Sequence, residues 1–275
     1  MSWAHLLEQA GVNVVHGLPG SKTHCKIGMV LRQEKEGLRR YIHLATGNYN
    51  TVTSRMYEDL GMFTCDEKMG EDGSNLFNYL TGYPEDQKYE KFLVAPFNLR
   101  QRLQMLIQRE MEYGKSGFPA HLIFKVNSLT DFDMINLLYE ASQAGVHIDL
   151  FVRGMCCLRP GVKGLSENIN VTSIVGRYLE HSRIFYFFNG GHEQIYLGSA
   201  DLMERNLNRR IELLFPLENP EHIRYIREEV LETYLRDNQL AYQMQADGRY
   251  ERRKPGEGGQ PVNVQDWLMH LRKKS

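Results

Sequence analysis

Two short segments of the chain repeat one another. The first runs His24-Cys25-Lys26, then a strand-like stretch, a charged turn, a second strand-like stretch and Thr46-Gly47-Asn48-Tyr49-Asn50. The second runs His181-Ser182-Arg183, then Ile184 to Phe188, an Asn189-Gly190-Gly191 turn, Ile195-Tyr196-Leu197 and Gly198-Ser199-Ala200-Asp201. Each places a histidine, with a cation two residues on, at the head of a hairpin that closes in a Gly-containing polar turn. Two histidines on equivalent hairpins point to two related halves around one shared site. Such a site suits phosphoryl chemistry, because one imidazole can attack phosphorus while the other gives or takes a proton.

The 275 residues admit one large domain or two modest ones. A formal charge of −1 excludes a globally basic nucleic-acid binder, so an anion site has to come from local placement of cations. No run of about 18 apolar residues exists to span a membrane, and the N-terminus shows no secretory leader. Cys25, Cys65, Cys156 and Cys157 have no zinc-like spacing and make a poor disulfide framework, which suits a reduced, cytoplasmic protein.

Local patterning gives an α/β chain. Trp3 to Gln9 reads as a helix stopped at Gly11, and Val12 to Val15 as a strand. Cys25 to Leu31 and Leu38 to Leu44 alternate as two strands, and Thr51 to Leu60 and Asp66 to Leu80 read as helices. Thr81-Gly82-Tyr83-Pro84 and the polar stretch to Lys91 form the expected linker, dividing the chain into 1–92 and 93–275. Beyond it, a helix after Asn98, a strand over His121 to Val126, a capped helix after Asp131 and a buried strand over Val146 to Val152 predict a parallel crossover. Further strands are expected near Val171 to Val175, Arg183 to Phe188, Gln194 to Leu197 and Ile211 to Phe215. Asn219-Pro220 opens a helix, Arg249 to Gln260 reads as a solvated loop and Gln265 to Leu271 as a short helix. The first half is poorer in elements than the second, as expected of a piece of a longer protein.

His24 stands between Lys22 and Lys26, after a Gly17-Leu18-Pro19-Gly20 turn whose backbone could approach a phosphate. Flanking cations favour the neutral, nucleophilic imidazole and stabilise a phosphoryl transition state. His181 and Arg183 repeat the arrangement. Asn48, Asn50, Ser199 and Asp201 lie at the hairpin ends, where they either hold an imidazole, bind phosphate oxygen or make turns. Arg153 ends a buried strand, where α/β ligand sites often lie and a guanidinium can clamp phosphate. No Walker loop, dinucleotide fingerprint or HExxH sequence is present.

Taken together, these segments resemble the polyphosphate kinases that carry phospholipase-D-like domains. The resemblance rests on Lys22 to Lys26, Thr46 to Asn50, Leu150 to Cys156, Tyr178 to His181 and Gly198 to Met203, in the family's order. It implies two phospholipase-D-like domains, each a mixed sheet flanked by helices, the first truncated at its N-terminus. It implies reversible transfer of the terminal phosphate of ATP onto polyphosphate through a phosphohistidine. His24 matches the phosphorylated histidine. His181 matches a second essential histidine, assigned to nucleotide binding and proton transfer, and Tyr57 and Arg153 match nucleotide-binding positions. Lys22, Lys26, Asn48, Asn50, Arg55, Arg183, Ser199 and Asp201 are the expected contacts to phosphate or polyphosphate.

By the same resemblance ATP, ADP and polyphosphate are the partners. Magnesium is the cofactor, its residues upstream of this chain. A homo-oligomer is expected for the full-length protein, in the cytoplasm, with a peripheral place at the inner membrane as an alternative. Two other readings stay open. One is a phospholipase-D-type phosphodiesterase or nuclease, disfavoured by the lack of a carboxylate in Ile27 to Arg32. The other is a non-catalytic polyanion-binding fragment.

Overall fold

The histidine-headed hairpins become real hairpins, and they sit in different sheets. The computed structural model describes residues 3–17, 20–83, 88–256 and 258–271. After α1 (Trp3–Gln9), Val12 to Val15 make no strand: among the described residues no strand pairs with them. β1 (Ile27–Glu34) and β2 (Gly37–Ala45) pair antiparallel in the register Glu34↔Gly37, and Gly37 turns the corner at φ 126°.

Thr51 to Leu60 is not the expected helix. Thr53–Arg55 forms one 3-10 turn and the chain then straightens into β3 (Tyr57–Glu58) and β4 (Gly61–Thr64). β4 completes a three-stranded sheet on β2, and α2 (Glu67–Leu80), capped by Asp66 on Met69 N, packs beside it. Of the expected linker, Pro84 to Gln87 lie outside the described residues. The segment that follows is pinned: the N–H groups of Glu90, Lys91 and Phe92 all donate to the buried Asp72 carboxylate, at 2.9, 2.7 and 2.8 Å.

The rest of the chain supplies β5 (Leu93–Ala95), α3 (Leu99–Lys115), β6 (His121–Val126), α4 (Phe132–Gln143), β7 (His147–Val152) and β8 (Ile169–Ile174). It continues with β9 (Leu179–Glu180), β10 (Arg183–Phe187), β11 (Gln194–Gly198), α5 (Glu204–Asn208) and β12 (Glu212–Leu217). After β12 come α6 (Pro220–Arg224), a π-helical stretch over Tyr225–Leu231 and α7 (Glu232–Arg236). β13 (Ala241–Met244), β14 (Tyr250–Arg252) and α8 (Val264–Leu271) close the described chain.

Nine of these strands form one sheet in the order β14-β13-β8-β7-β6-β10-β11-β12-β5. β6, β7 and β8 run parallel, as the crossover predicts, and the other pairs are antiparallel, so the α/β expectation is met by a mixed sheet flanked by helices. One face carries α3 and α4, with Leu103, Ile107, Met134 and Leu138 buried against Phe124, Leu150 and Phe185. The other face is covered by β2, α2 and the helical run after Pro220, where Ile42, Leu76, Val230 and Tyr234 meet Phe151, Ile184 and Leu197. The first half of the chain therefore shares a core with the second. β13 and β14, inside or beside the expected solvated loop, extend the sheet at its far edge.

Candidate active site

The N-terminal half lays its first histidine along the start of β12. Thr23 bridges Ile211 in parallel, His24 N and Cys25 N both donate to Ile211 O, and Ile211 N donates to Lys22 O. That zipper brings His24 to the next residue, Glu212, whose Oε2 accepts from His24 Nδ1 at 2.8 Å. Glu212 is fully buried and is itself held by Ser199 Oγ and Asn206 Nδ2, each at 2.5 Å. An ionised carboxylate only accepts, so the His24 proton sits on Nδ1 and the lone pair on Nε2.

The second histidine is built the same way with the halves exchanged. β3 pairs in parallel with β9, and Ser182 N donates to Glu58 O. This sets Asp59 beside His181, whose Nδ1 donates at 2.8 Å to Oδ1 and 3.0 Å to Oδ2. Thr46 Oγ1 donates to the same Asp59 Oδ1 at 2.7 Å. Gly47 follows, and a Cβ there would lie 2.6 Å from the Asp59 carboxyl, so the Gly of the first polar turn is required by this approach. The Gly of the second, Gly198, is required likewise: a Cβ would meet Leu213 O at 2.0 Å. Burial, reinforced by the Arg183 charge, keeps His181 below the usual histidine pKa despite its bond to Asp59. It is neutral near pH 7, with Nε2 accepting from Arg183 Nη1 at 3.2 Å.

Cations gather around the two imidazoles. Lys26 Nζ donates to His24 O at 2.5 Å and is buried; burial and then Arg183 pull its pKa down to about 8 against the pull of Glu212. Arg183 is fixed by Asp201, through Nε at 3.3 Å and Nη2 at 3.2 Å, and Asp201 also accepts Asn127 N at 2.7 Å. Arg153, at the end of β7, donates from Nε to Asn127 Oδ1 at 3.1 Å, and its charge feels that of Arg183. The charge of Lys26 acts on His181 and feels Asp59, so the two constellations form one electrostatic unit. Cys25 is no rival nucleophile: burial, with Glu212 beside it, pushes its thiol up to about 12.

Beside this unit opens a cavity of about 510 Å³ lined by Asn48, Arg55, Tyr57, Asp59, His43 and Tyr178 among others. Tyr57 also packs its ring 4.9 Å from that of His181. Of the residues singled out from the sequence, His24, Lys26, His181, Arg183 and Arg153 thus converge, and Asn48, Arg55 and Tyr57 line the adjoining cavity. Lys22 is exposed and takes part through its carbonyl. Three residues expected at phosphate are engaged by groups of the protein itself. The Asn50 side chain caps Val52 N and Thr53 N at 3.0 Å; Ser199 is buried on Glu212; Asp201 is engaged by Arg183 and Asn127. Each holds protein groups in place. Of the turn before His24, Leu18 and Pro19 lie outside the described residues.

Sequence reasoning missed Asp59 and Glu212. The search for a carboxylate just after Lys26 looked in the wrong half, because His24 and Glu212 are 188 positions apart and His181 and Asp59 are 122 apart. The argument against a diesterase from that missing carboxylate therefore falls. Also missed was the buried lattice behind the site. Lys125 Nζ reaches Glu58 Oε2 at 2.8 Å, Glu180 Oε2 at 2.9 Å and Ser182 Oγ at 2.9 Å, tying β3 to β9 across the two halves. Burial alone would raise Glu58 and lower Lys125, but the pair holds Glu58 below and Lys125 above their ordinary values, so both are charged. Lys125→Met leaves the buried Glu180 and the part-buried Glu58 with no cation between them and is expected to destabilise the chain by about 3–5 kcal/mol. Denaturant unfolding measures this, and a loss below 1 kcal/mol would show that the lattice does not carry the seam.

Magnesium prefers an octahedron of oxygen ligands. The carboxylates near the histidines are each committed to an imidazole, to Arg183 or to Lys125, and among the described residues the single cluster with metal-ligand spacing, His121, His147 and Asp149, is mainly nitrogen. The residues present do not fit a magnesium site. No helix among the described residues is long and apolar enough to cross a membrane.

Residues 1–86 match the family model for polyphosphate kinase C-terminal domain 1, and residues 92–265 that for C-terminal domain 2. The polyphosphate kinase of Thermosynechococcus vestitus is 54% identical over 256 residues, covering 93% of this chain and 35% of the relative. That of Streptomyces coelicolor is 48% identical over 275 residues, 100% of this chain and 37% of the relative. The crystal structure of polyphosphate kinase from Porphyromonas gingivalis superposes with a TM-score of 0.92 at 37% identity, covering 98% of this chain and 42% of that one. The chain thus spans 35% to 37% of the length of these two curated relatives.

Proposed function

Because the chain belongs to the polyphosphate kinase family, we propose that it forms the phosphohistidine centre through which such an enzyme moves the terminal phosphate of ATP reversibly onto polyphosphate. The observation that carries this reading is the crossed pair of constellations, in which each half fixes the other half's imidazole through Nδ1. The division at 92/93 is part of the proposal, 1–92 being the later part of a first phospholipase-D-like domain and 93–275 a second.

His24 attacks the γ-phosphorus with Nε2. The N–P bond forms as the bond to the bridging oxygen breaks, and ADP leaves with that electron pair. Glu212 takes up the positive character that develops on the imidazole, as a carboxylate does behind a catalytic histidine. Lys26, Arg183 and Arg153 face the charge that builds on the phosphoryl oxygens. In the second half-reaction a terminal oxygen of polyphosphate attacks phosphorus and the N–P bond breaks. His181, kept neutral, accepts the proton where that oxygen carries one and returns it in the reverse direction. The adjoining cavity, of ligand size, takes the nucleotide, with Tyr57 as its aromatic wall and Asn48 and Arg55 at its polar side. Asn50, Ser199 and Asp201 act as positioning groups. The four free cysteines suit a cytoplasmic enzyme.

Incubating this chain with γ-labelled ATP and magnesium, beside the full-length enzyme, tests the reading. Acid-labile, base-stable label on His24 in the full-length enzyme is expected. Its absence there, with hydrolysis of a generic phosphodiester, would replace the kinase by the diesterase. Label on the chain alone would show that its residues suffice for the first half-reaction.

His181→Ala is expected to slow transfer by ~10²–10⁴ at saturating ATP. An unchanged rate would remove its acid–base role. A second expectation concerns pH. Lys26 is cationic below about 8 and loses its charge above it, so kcat/KM for ATP should fall on the alkaline side of pH 8. Lys26→Arg keeps the charge and should erase that limb; the same limb in both proteins would assign it to another group.

A further inference from the structure

The opposite end of the strands that carry Asn127 and Arg153 bears a second cluster. His121 and His147 open β6 and β7 and are direct partners in the parallel register; Asp149, two residues on, shares the face of His147. His121 Nε2 lies 2.8 Å and His147 Nε2 3.0 Å from the same oxygen, Asp149 Oδ2. The rings pack 4.8 Å apart, and the three donor atoms all fall within 4.8 Å of one another.

We propose that His121, His147 and Asp149 form a binding site for a first-row divalent transition ion of the zinc class, stapling the first residues of β6 and β7. Two imidazole nitrogens and one carboxylate oxygen are the donor set of a tetrahedral zinc site with one position left for water. Zinc holds such donors at ~2.0–2.2 Å, which places neighbouring donors roughly 3.3 Å apart. The two His–Asp spacings need an opening of a few tenths of an ångström, and the two imidazole nitrogens, within 4.8 Å of one another, a closing of at most about 1.5 Å. The second shell is in place: Asn170 Nδ2 donates to Asp149 Oδ1 at 3.0 Å, turning Oδ2 towards the rings. Arg253, whose charge also feels Asp149, is held elsewhere by Leu235 O and Gln243 Oε1. His147 is 53% exposed, which gives an ion its way in. Along the strands His121 lies six residues, about 20 Å, from Asn127, and Asp149 four residues, about 13 Å, from Arg153, so the staple acts on the fold and leaves the phosphoryl chemistry alone.

Equilibrium dialysis of the chain with Zn²⁺, with Co²⁺ as the spectroscopic probe, tests the proposal. One ion per chain is expected, with the d–d bands of a tetrahedral nitrogen–oxygen site, no thiolate charge-transfer band and a higher Tm. Outer-shell partners alone are worth ~10–100-fold in affinity, so Asn170→Ala should cost at least about tenfold and His147→Ala at least about 100-fold. His147 is largely exposed, so its loss leaves the fold intact; circular dichroism checks this. Absence of binding, a thiolate band, or equal affinity in His147→Ala would each overturn the site.

Discussion

His24→Ala in the full-length enzyme is expected to abolish acid-labile phosphate on the protein and to cut polyphosphate synthesis by at least about 10⁴-fold. No neighbouring group can stand in. The Cys25 thiol, pushed up to about 12 by burial and by Glu212, offers no thiolate at neutral pH. His181 belongs to the other constellation, with Nδ1 on Asp59, and its role in the proposal is proton transfer. His24→Gln is the companion variant, since a glutamine amide can still donate towards Glu212 while lacking a nucleophilic nitrogen. If both variants fold with the parent's Tm and both lose label, the loss is chemical. Label retained at another residue would remove His24 as the nucleophile.

Glu212→Gln is expected to lower kcat by about 10²–10⁴ with little change in KM for ATP. Both Glu212 oxygens accept, one from His24 and Ser199, the other from Asn206. An amide in that place sets an NH₂ group against a donor on one side or the other. If it faces His24, the imidazole must take the opposite tautomer and the lone pair moves to Nδ1, away from the substrate. If it faces Asn206, the orientation survives but the charge that steadies the phosphorylated imidazole is gone. Asp59→Asn disturbs His181 instead and should leave labelling of His24 by ATP largely intact. Equal loss of label in the two variants would show that the constellations do not have separate roles.

The sequence made the two histidines and their cations legible because both lie within one local pattern, a His-x-cation pair at the head of a hairpin. It made the β6–α4–β7 crossover legible because each strand has four apolar residues in six and the Asp131 cap is a local bond. Asp59 and Glu212 were invisible because nothing near either histidine in the chain announces them; they arrive through β3 pairing with β9 and through the zipper along Ile211. Tertiary pairing also overrode local propensity at Tyr57-Glu58, where residues with helix-like neighbours are drawn straight by Leu179-Glu180 of the other half. β13 and β14 escaped because they are short, only Ala241 of β13 is buried and β14 is wholly exposed, so no alternation of burial marks them.

The crossed carboxylates have a consequence for how the protein comes into being. Contacts spanning 188 and 122 positions close late, after local hairpins and helices have formed, because chain closure over such distances is entropically slow. A nascent, partly refolded or nicked chain can therefore hold both hairpins and both histidines yet present no correctly set imidazole. Under the proposed function, a reactive imidazole is then a property that arrives only with the finished fold.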